Sequence, residues 1–145
     1  MNIEETARQI EQQRKEQDAI FHEFSVRIGL SETAMWILYL ITNYEDVHTQ
    51  QEICNLCAMP KQTIHSAVSV LVSKGLVELT PVAGKNCKRI SLTEKGAELA
   101  AGTTDRLRKA EMQAYGRLTE EELKAYLDTL CRLTVFLREE TGKII

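Results

Sequence analysis

Residues 59–96 read MPKQTIHSAVSVLVSKGLVELTPVAGKNCKRISLTEKG. From Lys61 to Ser73 the apolar side chains Ile64, Ala67, Val68, Leu71 and Val72 recur at three- and four-residue spacing, the signature of a helix buried along one stripe. Lys61, Gln62, Thr63, His65, Ser66 and Ser69 are left for the outer side, with no carboxylate among them. Lys74-Gly75 supplies a C-terminal stop. Two β-rich runs follow, Leu76–Thr80 and Arg89–Thr93, joined by a turn-rich basic loop over residues 81–88, and together they predict a hairpin. Two short helices, a tight turn and a hairpin with a basic tip make the layout of a winged helix-turn-helix. A helix lies in a major groove only if its outer face is small, polar and hydrogen-bonding, and this one is. Lys85, Lys88 and Arg89 on the hairpin suit the neighbouring phosphates or the minor groove, where positive charge is attracted. The competing reading of the same residues is an ordinary solvated helix face beside a charged loop.

Upstream, Thr49-Gln50-Gln51-Glu52 is a capping box that opens a short helix with Ile53, Leu56 and Cys57 inward, ending at Met59-Pro60. Ser31 is a good N-cap for an earlier helix through Ala34, Met35, Trp36, Ile37, Leu38, Leu40 and Ile41, apolar almost all round and so expected at the centre. Residues 3–28 read as one helix with Ile3, Ala7, Ile10, Ile20, Phe21, Phe24 and Ile28 on a stripe. At about 38 Å it is too long for one small body to cover, so a second copy of the chain is its simplest partner. Downstream, Thr93-Glu94-Lys95-Gly96 starts a long helix expected to run unbroken to near Gly116. Thr119-Glu120-Glu121-Glu122 is a second capping box, opening a last helix striped with Leu123, Tyr126, Leu127, Leu130, Leu133 and Leu137.

With 145 residues, 43% hydrophobic and 27% charged, the chain has the makings of one domain with a real core. Seven Gly and two Pro leave room for long helices. No apolar run approaches the roughly 18 residues of a membrane span, and the polar start has no export signal, so a cytoplasmic location is expected. The net charge of −3 is unevenly spread: −5 over residues 1–48, +3 over 49–95 and −1 over 96–145. An electropositive middle between acidic helical ends marks a local anion-binding face.

Met59–Ile64, Leu71–Val77 and Ile90–Gly96, with K-G-L-V closing one helix and L-T-E-K-G opening another, resemble the MarR (multiple antibiotic resistance regulator) family, and the flanking helices extend the likeness over nearly the whole chain. The resemblance implies a mainly α fold with a small β-hairpin wing: a winged helix-turn-helix lobe over residues 31–95 within a single domain, 1–145, and helical dimerisation regions over 1–28 and 96–145. It implies a transcriptional regulator that binds a pseudo-palindromic double-stranded DNA operator as a homodimer, a repressor released by a small ligand or an oxidant, without cofactor. The family's wing commonly carries an acidic residue followed shortly by arginines. Here the stretch is Gly84-Lys85-Asn86-Cys87-Lys88-Arg89, so base reading is expected to fall to the Gln62–Ser69 face while the wing positions it.

Other constellations point less far. Cys54 and Cys57 have the C-x-x-C spacing of redox and zinc sites, yet sit within a predicted helix beside Ile53 and Leu56 with no second pair, and read as small buried hydrophobes. Cys87, at a basic wing tip, is the one thiol placed to sense oxidant, and Cys131 lies off its helix's leucine stripe. His22, His48 and His65 are scattered, so no metal site is expected. His22, Phe24, Trp36 and Tyr39 form a candidate effector pocket, against the simpler reading of ordinary core aromatics. No phosphate loop, nucleophile elbow or carboxylate pair supports an enzyme. Two rivals to the regulator remain: a winged helix that holds a protein partner without DNA, and a thiol redox protein using Cys54 and Cys57.

Overall fold

The computed structural model describes residues 1–145. It contains α1 (Ile3–Arg27), α2 (Glu32–Asn43), α3 (Gln50–Cys57), α4 (Lys61–Ser73), β1 (Val77–Pro81), β2 (Lys88–Leu92), α5 (Glu94–Gly102), α6 (Thr104–Tyr115) and α7 (Glu120–Gly142). Two compact units divide the chain, Met1–Arg106 and Leu107–Ile145. No single helix is long and apolar enough to cross a membrane.

In the first unit α2 is the centre, with Ala34, Met35, Ile37 and Leu38 wholly buried. Around it close Ile53 from α3, Ile64, Val68 and Leu71 from α4, Val77 from β1 and Ile90 from β2. The strands pair antiparallel in the register Val77↔Leu92 to Pro81↔Lys88. That register starts and ends the hairpin within a residue of the expected runs. On the other side of β2, the Ile90 N–H donates to the His48 carbonyl, so the loop after α2 is tied to the wing.

Helix ends follow the sequence closely. The Ser31, Thr93 and Thr119 hydroxyls accept from Ala34, Gly96 and Glu122 N–H groups, each three residues on. At Thr119 the capping box is complete, and the two bonds from Thr119 hold the exposed Glu122 carboxyl below its usual range. At Thr49 it is altered: Thr49 accepts from Glu52 N–H, but the Glu52 carboxylate reaches one residue further and accepts from His48 N–H at 2.8 Å. Helix α4 closes with Gly75 in the left-handed conformation (φ 71°), its N–H on Val72 O and the Leu76 N–H on Leu71 O, which satisfies the last carbonyls and turns the chain into β1.

Three expectations need correction. Leu56 is exposed (57%), because an eight-residue helix buries only the stripe of Ile53 and Cys54. Val72 is also exposed (40%), standing at the margin of the α4 stripe beside buried Val68. The helix after Thr93 is broken at Thr103 into α5 and α6. Gly102 weakens it there, and the Thr103 hydroxyl donates to the Leu99 carbonyl at 2.6 Å, a back-bond that bends helices.

In the second unit α7 leaves Tyr126, Leu127, Leu130, Leu133, Phe136 and Leu137 between 38% and 63% exposed. The leucine stripe read from the sequence thus lies on α7 as an exposed apolar row.

Candidate nucleic-acid interface

Helix α4 starts at Lys61 directly after Pro60, whose fixed φ and missing N–H suit a helix start. The turn before it holds Ala58 in the left-handed region (φ 50°), so α3 stops and α4 leaves in a new direction. Ile64, Ala67, Val68 and Leu71 pin α4 to the core, which fixes what is left outside. Lys61, Gln62, Thr63, His65, Ser66 and Ser69 are all exposed, as are Val70 and Ser73, which the sequence reading did not single out. The signal for both was present, since residues 66, 70 and 73 share a helical stripe.

The wing supplies the cations. Gly84 takes a left-handed conformation (φ 74°) and the Lys85 N–H donates to Val82 O, closing a tip over residues 82–87. Lys85, Lys88 and Arg89 are exposed, Lys88 and Arg89 on β2 and Lys85 in the tip. The ion pairs Glu23–Arg27, Glu120–Lys124, Asp128–Arg132 and Glu140–Lys143 lie on α1 and along α7 to its C-cap, and none of them involves Lys61 or the wing cations. The first unit thus exposes a hydrogen-bonding α4 surface that starts at Lys61 together with three cations on the wing, the chemistry that suits base edges and phosphates.

The aromatic candidates are partly gathered. Trp36 stands between two rings, with Phe21 at 5.0 Å and Tyr39 at 5.1 Å between centroids. Phe24 is half-buried on α1, His22 is exposed, and Phe21, which sequence reasoning placed only in the α1 stripe, takes the contact with Trp36. Among the thiols, Cys54 is buried, Cys57 half-buried, and Cys87 and Cys131 exposed. Burial, and then the neighbouring Cys54, push the Cys57 thiol above its usual range. A raised thiol favours the folded state below the ordinary thiol pKa and loses that advantage as pH climbs through the raised value, the opposite of an activated nucleophile. Titration of the native protein with a thiol reagent at pH 7 is therefore expected to modify Cys87 rapidly and Cys54 only on unfolding; fast modification of both Cys54 and Cys57 would restore the redox reading.

A model of the MarR family matches residues 28–85. No curated protein matches the chain. Among solved structures, it is similar to NMB1585, a MarR family regulator from Neisseria meningitidis (24% identity, 97% of this chain and 99% of that one covered, TM-score 0.75). It is also similar to the transcription regulator MarR from Oenococcus oeni (17%, 89% and 98%, 0.74). The S. aureus MepR–DNA complex matches at 21% identity over 94% of this chain and 96% of that one, with a TM-score of 0.71. At these identities the likeness establishes the fold, a MarR-type winged helix with a two-stranded hairpin.

Proposed function

We propose that the protein, whose residues 28–85 match the MarR family model, is a MarR-family cytoplasmic transcription regulator that binds double-stranded DNA as a homodimer. The carrying observation is the outer surface of the winged lobe: an exposed α4 face without carboxylates beside Lys85, Lys88 and Arg89, none of them engaged in an ion pair. In this reading Lys61, Gln62, Thr63, His65, Ser66 and Ser69 meet base edges in the major groove and the wing cations hold the phosphates. Determination of a DNA complex for the structural neighbour MepR supports it.

The dimer places two α4 helices on one duplex about one helical turn apart, so the operator is a pseudo-palindrome. Helices 1–28 and 96–145 are the dimerisation regions, with 31–95 the DNA-binding lobe. Support comes from the apolar side chains left to water: Ile3, Ile10 and Ile20 on α1, each 48–75% exposed, and the α7 stripe. Burying such a stripe against a second copy recovers roughly 25 cal/mol per Å². The double substitution Leu130→Glu, Leu133→Glu is expected to yield a folded monomer by sedimentation equilibrium, with at least a hundredfold loss of operator affinity; an intact dimer would remove α7 from the interface.

Repression follows from occupancy of promoter DNA, and a ligand against Phe24, Trp36 and Tyr39, with His22 at its rim, or oxidation of Cys87, ends it by changing the spacing of the two lobes. The protein needs no cofactor and performs no catalysis. One observation favours a second reading, a protein-binding module: α4 has no cation from Gln62 to Ser73 and exposes Val70 and Val72. Fluorescence anisotropy with duplexes tiled across the DNA upstream of the protein's own gene decides between them. Tight binding to one fragment that random competitor does not displace is the expected result, and absence of binding at about 50 mM salt overturns it.

A further inference from the structure

The serines of α4 are not free donors. Ser66 Oγ donates to the Gln62 carbonyl at 3.0 Å, Ser69 Oγ to His65 at 3.0 Å and Ser73 Oγ to Val70 at 2.9 Å. Their hydrogens are committed to the helix, so their oxygens meet a ligand as acceptors. Between Lys61 and Lys74 the helix carries no lysine or arginine, which leaves Lys61 at its start as the one side chain of the type that most often reads guanine. Within this polar surface stands one apolar side chain: Val70, 45% exposed, one turn after Ser66 and one turn before Ser73. Val47, Val68 and Val77 of the same lobe are at most 2% exposed and Val82, in the wing tip, is partly exposed, so on α4 Val70 stands out as the valine most left to water. Val72 is exposed too, but at the edge of the buried stripe.

Resting on the DNA-reading function proposed above, we propose that Val70 is a specificity-determining residue that packs against the C5-methyl group of a thymine in each half-site. In the major groove thymine alone among the four bases presents a methyl group. The same base pair offers the adenine amino group to outward-facing acceptors such as the Ser66 oxygen; cytosine presents an amino group too, so the choice of A·T over G·C falls to the methyl contact.

The full-length protein is used to select duplexes from a randomised library at about 50 mM salt. Each thymine of the enriched half-site is then replaced by deoxyuridine, which pairs identically and lacks the methyl. One position per half-site is expected to respond, weakening binding about fourfold singly and about sixteenfold when both half-sites are changed, the partition of a buried methyl group. Val70→Ala is expected to bind the thymine duplex as weakly as the wild type binds the deoxyuridine duplex, and to ignore the replacement. Val72→Ala keeps the full wild-type response, and thermal melting of both variants, whose substituted side chains are exposed, verifies their folding. Equal deoxyuridine responses in wild type and Val70→Ala, or enriched half-sites without a fixed thymine, overturn the assignment of Val70 while leaving DNA binding intact. Failure to enrich any duplex overturns the regulator itself.

Discussion

Gly96→Ala is expected to destabilise the protein by about 3 kcal/mol, lowering its melting temperature by about 6–12 °C. A Cβ on Gly96 would collide with the carbonyl oxygen of Leu76, and would also stand 2.9 Å from the Leu76 carbonyl carbon and 3.3 Å from its Cα. These are backbone atoms at the mouth of β1, so no side chain can rotate out of the way. The same Leu76 carbonyl accepts from the Thr93 N–H at 3.1 Å. Beside it, the Thr93 hydroxyl donates to Gly75 O at 2.6 Å and Lys95 Nζ to Lys74 O at 2.9 Å. Moving α5 away to admit a methyl group strains all three bonds. Alanine's advantage over glycine in a helix, about 1 kcal/mol, opposes this and loses to an overpacking cost of up to about 3 kcal/mol plus about 1 kcal/mol per hydrogen bond broken. Gly102→Ala is the control: nothing lies within 4 Å of its Cβ position, so it should be neutral or slightly stabilising. Both are read by thermal melting at one fixed protein concentration, since association also shifts the midpoint. A Gly96→Ala protein melting within a degree of wild type would mean that α5 does not dock on β1 in this way.

The collision gives physical content to the K-G-L-V and L-T-E-K-G residues. K-G-L closes α4 because Gly75 takes a left-handed conformation, and T-E-K-G is the set of side chains that clamps α5 to that closure: a capping hydroxyl, an amine for the Lys74 carbonyl, and a residue small enough to touch Leu76. Capping residues were legible because each acts within three or four positions along the chain. Leu56 and Val72 were misplaced because periodicity gives a stripe's direction and not its width, which neighbouring elements set. The break at Thr103 was not legible, because the same Thr hydroxyl is equally at home turned to solvent. On α4 the polar face could be read, whereas the commitment of the Ser66, Ser69 and Ser73 hydrogens is a choice of rotamer that no spacing encodes. For α7 the stripe was plain, whereas what covers it is a matter of other surfaces that helical spacing does not encode.

Between about 50 and 200 mM salt, operator affinity is expected to fall about a thousandfold. Each phosphate neutralised by a fixed cation releases condensed counterions, so the logarithm of affinity falls with the logarithm of salt by about 0.9 per contact. In the proposed dimer, Lys85, Lys88 and Arg89 would provide three such cations per subunit and about six in all. They are exposed, and neither they nor Lys61 belong to any of the protein's ion pairs, so no internal carboxylate competes for them. The protein's net charge of −3 does not cancel the effect, because the acidic excess lies in residues 1–48 and fields are screened within about 7–14 Å over this salt range. Arg89→Ala removes one contact per subunit, so the slope should shrink by about 1.8 and every duplex should lose affinity alike. A loss confined to one sequence would make Arg89 a reader of bases, while an unchanged slope would take it off the phosphates. If the wild type binds a fragment with almost no salt dependence, the wing cations do not touch DNA, and the neutral α4 face with its exposed valines would have to supply the affinity alone. That outcome would favour a protein-binding module, because apolar contact and hydrogen bonds hold proteins together at 200 mM salt as well as at 50, whereas a duplex held without phosphate contacts has little beyond base edges to grip.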